Sequence, residues 1–456
     1  MSYEGDEFSN VPLGILYLAA NLRKNGFDVT VLDPTPMGLS LEDIIEKIAK
    51  IKPMLIGISS MTPGIKAGTM IAAKIREVFG KSIPVCLGGA HINVDPTFID
   101  RFPYFDFAII GESEVELAKN ARIVAEGGHP KGVMYAEAIT DLDSLPFPAR
   151  DLLETASYHR PENRSDKPPS ATIFSSRGCP FGCIFCSRPS HRRGHRVRSP
   201  GNVVDEMESL AAAHGNDFSF TDDSLTLNRK SIMGICDEII RRGLKYRWSG
   251  STRAPNFDDE LAAKMRAAGC DDIVFGVESG NERIRNEIVH KGVTDEQIFK
   301  ALKVAKKNGM RTNILLMLGF PTETMKEVED TVNFGRRSQA DIMGIRITKP
   351  LPGSDIYEIA IKNGSIPADL VDRFVRGELG ETFIENWPHF IPDGLTMDDL
   401  VAAKKRAYRA FYLDPRWLMR RAWYTMKHPS HIKQDLALLK IAPYVFKTGK
   451  TKTTWA

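Results

Sequence analysis

Three cysteines stand within eight residues, in the run Ser176-Arg177-Gly178-Cys179-Pro180-Phe181-Gly182-Cys183-Ile184-Phe185-Cys186. Spacings of four and three residues let three thiolates converge on one small object, and Gly178 and Gly182 give the backbone freedom to wrap it. A four-iron cluster takes four ligands, so three thiolates leave one iron open to a substrate or cofactor. Zinc is the competing reading, with His191 or His195 as a fourth ligand, but a structural zinc site needs no second set of polar residues spread along the chain. A plain ferredoxin site would lack its fourth cysteine. The remaining cysteines, Cys86, Cys236 and Cys270, are scattered and read as small apolar core side chains rather than a disulfide framework.

The loop must be held by the elements around it. Strands are expected at 171–175, 217–221, 246–250, 272–277, 312–318 and 342–348, with helices between them such as Val203 to His214 and Lys230 to Arg242. Six strand–helix units point to a partial (β/α)6 barrel of TIM type, with its chemistry at the C-terminal strand ends. The run Pro350-Leu351-Pro352-Gly353 closes the series. Polar residues cluster at those ends: Asp222 and Asp223, Arg253, Glu278, and the turn after Leu318 that contains Gly319. The two aspartates could instead cap the following helix, and Arg253 could be a surface ion pair. Glu278 ends a strongly apolar strand, where an unpaired buried acid is costly, so a ligand role suits it better.

The Cys-x-x-x-Cys-x-aromatic-Cys loop resembles the signature of the radical S-adenosylmethionine (SAM) family. Four later segments resemble the same family in order: Phe220-Thr221-Asp222-Asp223-Ser224, Trp248-Ser249-Gly250-Ser251-Thr252-Arg253, Gly276-Val277-Glu278-Ser279-Gly280, and Leu316-Met317-Leu318-Gly319-Phe320-Pro321-Thr322-Glu323. The resemblance implies that Cys179, Cys183 and Cys186 ligate a [4Fe-4S] cluster whose open iron binds SAM. It places Phe185 near the adenine, Asp222 or Asp223 at the SAM amino group, and Arg253 facing the SAM carboxylate. Glu278 falls near the ribose or amino group, and Gly319 near the adenine. It implies reductive cleavage of SAM to methionine and a 5′-deoxyadenosyl radical, which removes a hydrogen atom from an unactivated carbon. No side chain need act as acid or base in that step, and the protein's part is binding and orientation.

Ahead of the barrel lies a second alternating series. Helices are expected at Leu13 to Lys24, Leu41 to Ile51 and Gly64 to Phe79. Strands are expected at Asp28 to Leu32, Met54 to Ile58, Ile83 to Leu87 and Phe107 to Ile110. This is a doubly wound, Rossmann-like α/β domain over 1–140, which binds ligands at its C-terminal strand ends. Ser59, Thr62, Gly88, Gly89, Gly111 and Glu112 fall there. The runs Val11 to Ala19, Gly57 to Thr62, Leu87 to His91 and Gly111 to Glu114 resemble the cobalamin-binding domain that precedes many radical SAM domains. There is no dinucleotide fingerprint. An Asp-x-His-x-x-Gly motif is also missing, so the usual histidine ligand to cobalt has no candidate; His91 belongs to a Gly-Gly-x-His run and is not that ligand. Relatives open with an apolar strand before the Pro-Leu-Gly run, and Met1 to Asn10 contains none.

Residues 141–170 read as a linker rich in proline and charge, 171–370 as the radical SAM core, and 371–456 as a mostly helical region. The chain of 456 residues has a net charge of only +3, but from Lys404 to Lys452 thirteen Lys and Arg face two acids among many aromatics. That tail is either a solvated face over an aromatic core or a surface for an anionic or lipid-like partner, including peripheral membrane contact. No apolar stretch is long enough to span a bilayer and the N-terminus is not a secretory signal, so the expected location is the cytoplasm. The expected partners are a small-molecule substrate and an electron donor such as flavodoxin or ferredoxin. Nucleic acid is not expected. The function expected first is a cobalamin-dependent methylase acting on an unactivated carbon. The second is a rearrangement, cyclisation or carbon–carbon coupling, and the third, from another class, a zinc-stabilised binding protein.

Overall fold

The computed structural model describes residues 11–153, 158, 171–187, 194–380 and 387–427, with the side chains of His214 and Lys427 excepted. The chain forms two compact units. One comprises 1–159, 187–196 and 351–387; the other comprises 160–186, 197–350 and 388–456.

In the first unit four parallel strands, β1 (Ile56–Ser59), β2 (Val85–Gly88), β3 (Phe107–Ile110) and β4 (Gly132–Tyr135), lie in that order. The helices Leu13–Lys24, Leu41–Ile51, Ile65–Phe79 and Glu114–Ala125 accompany them. Local chemistry marks their ends. Ser40 and Asp43 form a reciprocal capping box at Leu41, and β3 is an unbroken apolar run buried on both faces. The expected strand Asp28 to Leu32 is not one: it has no ladder partner among the described residues. It is held by packing of Val31 and by Tyr158, whose hydroxyl donates to Asp33 at 2.8 Å. β1 alternates between half-buried and exposed, and among the described residues one of its edges has no strand partner. β4, which sequence reading missed, is short, begins with glycine and leaves Tyr135 exposed.

Two boundaries differ from expectation. The first half of the expected linker packs onto the opening helix: Leu142, Leu145, Ala149 and Leu153 are buried, and the Ala149 N–H donates to the Leu16 carbonyl at 3.1 Å. Segment 351–387 groups with the first unit. Arg101 grips the Asp372 carboxylate at 2.9 and 3.0 Å, Lys66 reaches the Gly380 carbonyl at 3.0 Å, and Gly353 sits against Val94.

The second unit is a six-stranded, all-parallel sheet in the order β12-β11-β10-β9-β8-β5. Its members are β5 (Ala171–Ile173), β8 (Asp217–Phe220), β9 (Arg247–Thr252), β10 (Cys270–Glu278), β11 (Arg311–Leu318) and β12 (Ile342–Ile347); the short β6 (Ser176–Arg177) and β7 (Arg196–Val197) flank the cysteine loop. Sequential parallel strands joined through helices make the partial barrel expected of six strand–helix units. Burial alternates along β8, β9 and β12 and over part of β10 and β11, while β5 is buried throughout. Phe218, Trp248, Phe275, Ile314, Leu316, Met343 and Ile345 join one apolar core with the surrounding helices. Ser219, Ser249, Ser251, Gly276, Leu315, Met317, Gly344 and Arg346 occupy the opposite, more open face. Register confirms the shared face: Ser219 pairs with Ser249, Leu315 with Gly344, and Met317 with Arg346.

Candidate active site

The cysteine loop leaves β6 at the C-terminal end of the sheet, and Asp222 holds its root. That carboxylate is buried and accepts from the Ser175 N–H at 3.0 Å, from the Ser175 hydroxyl at 2.8 Å and from the Ser176 hydroxyl. Burial raises its pKa, and the serine bonds oppose the shift. Neither aspartate caps the next helix: Asn228 does, accepting from the Ser231 N–H at 3.0 Å. Asp223 is exposed and close enough to Cys179 to disfavour its thiolate, whereas burial is the main influence raising that thiol's pKa.

The loop then packs on two of the other segments. Cys183, Ile284, Val289 and Phe320 form a buried cluster, with Phe181, Phe185, Cys186, Ile288 and Met317 against it. Phe185 meets Phe320 at 6.2 Å between ring centroids, and the Ile184 N–H donates to the Val289 carbonyl at 3.3 Å. Phe320 follows Gly319, whose φ of +85° and close neighbour, the Phe390 carbonyl, exclude a side chain there. Two buried carboxylate bonds hold this turn, as Glu323 accepts from the Gly319 and Phe320 N–H groups at 2.6 and 3.0 Å. Burial pushes Glu323 up to about 7, against those bonds.

Arg253 is no surface ion pair. It is buried, its guanidinium lies 3.5 Å from the Phe181 ring centroid, and it donates to the Lys291 carbonyl. That contact is a cation–π stack against the residue midway between Cys179 and Cys183. Glu278 bonds the Lys291 ammonium at 2.8 Å, with both side chains at or below 10% exposure. The carboxylate folds back because Glu278 adopts φ +69° beside a register shift against β11. A Cβ on Gly276 would meet Glu278 Oε1 at 2.5 Å and Lys291 Nζ at 2.9 Å, so a side chain there would have to displace the ends of this ion pair. Breaking a buried pair by removing one partner typically costs about 3–5 kcal/mol, because the survivor is left charged and dry. Lys291 was missed in the sequence because a lone lysine in a His-Lys-Gly turn carries no periodic signal; its value comes from a partner thirteen residues earlier.

As donors for a cluster, the three cysteines fit in type and number: all are free thiols, Cys183 buried and the others half-buried, on one loop beside one apolar wall. Among the described residues no group of three or more His, Cys, Asp or Glu is set to hold a single metal ion; the thiolates of a four-iron cluster each bind a different iron and need not gather as the ligands of one ion do. Metal sites commonly gain their geometry on ligation. The zinc alternative gains nothing here. His191 lies outside the described residues, and no described histidine joins the cysteines in a metal-holding group.

In the first unit the expected residues lie at the C-terminal ends of three strands: Ser59 and Thr62 at β1, Gly88 and Gly89 at β2, and Gly111 and Glu112 at β3. The Gly88-Gly89 turn runs against Ser60: the Ser60 N–H donates to the Gly88 carbonyl, and the His91 N–H to the Ser60 carbonyl, each at 3.0 Å. Gly89 has φ +93°, and a Cβ there would lie 2.6 Å from Ser60 N and O and 2.9 Å from the Ser59 hydroxyl. Gly88 opens onto free space, with nothing within 4 Å of a built Cβ. This leaves bare backbone where a large flat cofactor would approach. Thr62 bonds His91 Nδ1 at 3.1 Å; His91 is fully buried, and burial holds its pKa down to about 4, so the ring is neutral at pH 7. Gly111 donates to the Asn93 side chain at 2.7 Å. Glu112 is occupied within the protein, paired with Arg196 at 2.6 and 2.8 Å and accepting from the Ile139 N–H at 2.7 Å.

The family models agree with this division. Residues 173–335 match the radical SAM superfamily, and 7–120 match the B12 binding domain. An uncharacterized methyltransferase of Pyrococcus horikoshii is 30% identical over 429 residues, covering 90% of this chain and 89% of that one. The anaerobic magnesium-protoporphyrin IX monomethyl ester cyclase of Rubrivivax gelatinosus is 30% identical over 413 residues, covering 83% and 73%. In fold, the radical SAM methyltransferase TsrM from Kitasatospora setae, solved with cobalamin and a [4Fe-4S] cluster, aligns at TM-score 0.67 with 21% identity over 90% of this chain and 89% of that one. The cobalamin-dependent radical enzyme OxsB aligns at 0.65 with 18% identity, over 97% and 72%. The chain belongs to the radical SAM superfamily, among the members whose radical SAM domain follows a B12-binding domain.

Proposed function

We propose that this protein is a cobalamin-dependent radical SAM methylase acting on an unactivated carbon of a small molecule. The observation that carries the reading is the convergence, at one end of a parallel sheet, of the thiol loop with Arg253, Glu278 and the Gly319 turn. When bound, the cluster and SAM supply a one-electron cleavage yielding a 5′-deoxyadenosyl radical, and cobalamin supplies a transferable methyl group. Cys179, Cys183 and Cys186 hold the cluster. Arg253 faces the SAM carboxylate and the carboxylates of Glu278 and Asp223 its amino or ribose groups; Asp222 sets the root of the loop. The wall of Phe185, Phe320, Ile284 and Val289 excludes water and competing hydrogen donors. Ser59, Thr62, Gly88, Gly89 and Gly111 receive cobalamin. Glu112, tied to Arg196, shapes that rim rather than touching the ligand.

Cyclisation on the same scaffold is the second reading, supported by the 30% identity to the cyclase. Comparing metabolites of a deletion strain with its parent under low oxygen tests both. Methylation predicts an accumulated compound one methyl group lighter than the missing product, labelled in the parent by SAM-derived methyl. A compound with one ring fewer and no label would select cyclisation instead.

The electron donor is of the flavodoxin or ferredoxin kind, and we place the protein in the cytoplasm with a peripheral membrane contact. No described helix is long and apolar enough to cross a membrane. The helix Pro415–Lys427 half-buries Trp417, which donates to the Asp341 carbonyl at 3.1 Å. Leu418, Met419, Trp423 and Met426 remain between 47% and 67% exposed beside Arg416, Arg420 and Arg421. Such a face suits an anionic bilayer surface. Vesicles containing phosphatidylglycerol are expected to co-sediment the full chain, and the double variant Met419→Ser, Trp423→Ser to bind about tenfold less. Equal binding to neutral phosphatidylcholine vesicles, or none to either, would remove the membrane contact.

A further inference from the structure

The turn Val289-His290-Lys291 follows a single π-helical turn, Ile284–Ile288, which is closed by the Val289 N–H donating to the Ile284 carbonyl at 2.8 Å. Turns of this wide kind are rare and often stand at functional sites. The base of the turn is braced. Arg285 is fully buried and donates to the Ser279 carbonyl at 2.8 Å and to the Val293 carbonyl at 2.7 Å. Asn286 exchanges hydrogen bonds with Val293 at 2.8 and 3.1 Å. One guanidinium therefore ties the residue after Glu278 to the second residue after Lys291.

From that base the turn reaches three of the segments assigned to the cluster and SAM. The Val289 carbonyl accepts from the Ile184 N–H of the cysteine loop at 3.3 Å. The Lys291 carbonyl accepts from Arg253, which also stacks on Phe181 of that loop. The buried Lys291 ammonium donates to Oε1 of Glu278 at 2.8 Å. Two left-handed residues other than glycine permit this, Glu278 at φ +69° and His290 at φ +59°. Such conformations are costly and persist where their surroundings over-determine them. A buried ion pair is weak evidence for stability, because an apolar pair of similar volume often serves as well. The pair does divide the carboxylate: Oε1 is spent on Lys291, and Oε2 has no hydrogen-bond partner among the described residues. An ionised carboxylate accepts at both oxygens, so Oε2 is left for a donor on a ligand.

We propose that Lys291 is a positioning residue for SAM. Its ammonium holds one oxygen of Glu278 so that the other meets the SAM amino group, and its carbonyl holds Arg253 for the SAM carboxylate. Val289, in the same turn, carries Ile184, so one element sets both the cysteine loop and the two recognition charges. The inference rests on the reading of these strand ends as the SAM site, and it adds a residue that touches neither SAM nor iron.

The test is anaerobic binding of SAM to the full-length, cluster-loaded protein. Equilibrium dialysis gives the affinity of the oxidised form, and the electron paramagnetic resonance of the reduced cluster is followed as SAM is added. Lys291→Met removes the ammonium and keeps the backbone carbonyl. It is expected to bind SAM at least about tenfold more weakly, with its iron content unchanged, and to need correspondingly more SAM to alter the cluster signal. Lys291→Arg is expected to restore part of the affinity. Because Lys291 acts through Glu278, the double variant Glu278→Gln, Lys291→Met is expected to bind SAM within about twofold of Glu278→Gln alone. The double variant removes both charges of the pair, so it keeps the test open if Lys291→Met alone fails to fold. Unchanged SAM affinity in Lys291→Met, or a double variant about tenfold weaker than Glu278→Gln, would overturn the positioning role. Loss of iron from Lys291→Met in step with SAM affinity would equally overturn it, since the lysine would then only prop the cysteine loop. A wild type that holds its cluster and binds no SAM would overturn the reading of the site and this inference with it, whereas the variants bear on the inference alone.

Discussion

Cys183→Ala, Cys179→Ala and Cys186→Ala are each expected to lower 5′-deoxyadenosine formation by at least about 100-fold and to strip most of the bound iron. Cys183 is the most demanding of the three, because it is also buried against Ile284, Val289 and Phe320. Its alanine variant removes a ligand and loosens the wall that carries the loop. Cys183→Ser keeps the volume, so it separates the two effects: restored melting temperature without restored iron assigns the loss to ligation. Iron content by colorimetric assay and product by mass spectrometry read both outcomes. Cys236→Ala is the contrasting case. Cys236 is buried in the helix layer of the sheet and belongs to no ligand set, so iron should be unchanged and only stability should fall.

Gly89→Ala carries the second largest expected effect, and it acts on the other unit. At φ +93° an L side chain is strained, and its Cβ would sit 2.6 Å from two backbone atoms of Ser60. Backbone cannot swing aside as a flexible side chain can, so the β1 and β2 loops must separate. A cost of about 3 kcal/mol is expected, together with at least about tenfold weaker retention of cobalamin. Gly88→Ala, one residue earlier, meets nothing within 4 Å on the protein side and should cost less than about 1 kcal/mol. If Gly88→Ala nonetheless weakens cobalamin as much as Gly89→Ala, the open side of Gly88 faces the cofactor. If neither changes retention, the cradle is misassigned. Thermal melting and the visible absorption of bound cobalamin are the two readouts.

Features with local causes were legible in the sequence. The thiol spacing, the helix Leu41–Ile51 and the four-residue apolar run of β3 each declare themselves within a few positions. So did the order of the barrel segments, because each polar cluster directly follows its strand. What escaped depends on distant partners. Asp28 to Leu32 has the composition of a strand, but a strand also needs a neighbour to bond, and composition does not supply one. Segment 351–387 is tied to the first unit by contacts such as Arg101 with Asp372, 271 positions apart, which leave no periodic trace. Lys291 is another example: nothing near it announces that Glu278 turns back through a left-handed residue to meet it. Asp222 stands at a strand end, where the resemblance implies a contact to SAM, and its oxygens accept from Ser175 at the start of the cysteine loop. Glu112 likewise lies at the expected strand end and spends its charge on Arg196.

The most direct measurement is anaerobic. The full-length protein, reconstituted with iron and sulfide and reduced by dithionite, is incubated with SAM whose methyl group carries deuterium. The expected result is a brown protein that releases 5′-deoxyadenosine and places the deuterated methyl on bound cobalamin, with both signals absent from Cys183→Ala. A protein holding a full cluster and cobalamin that leaves SAM intact would contradict the assignment, as would cleavage that persists after Cys183 is replaced.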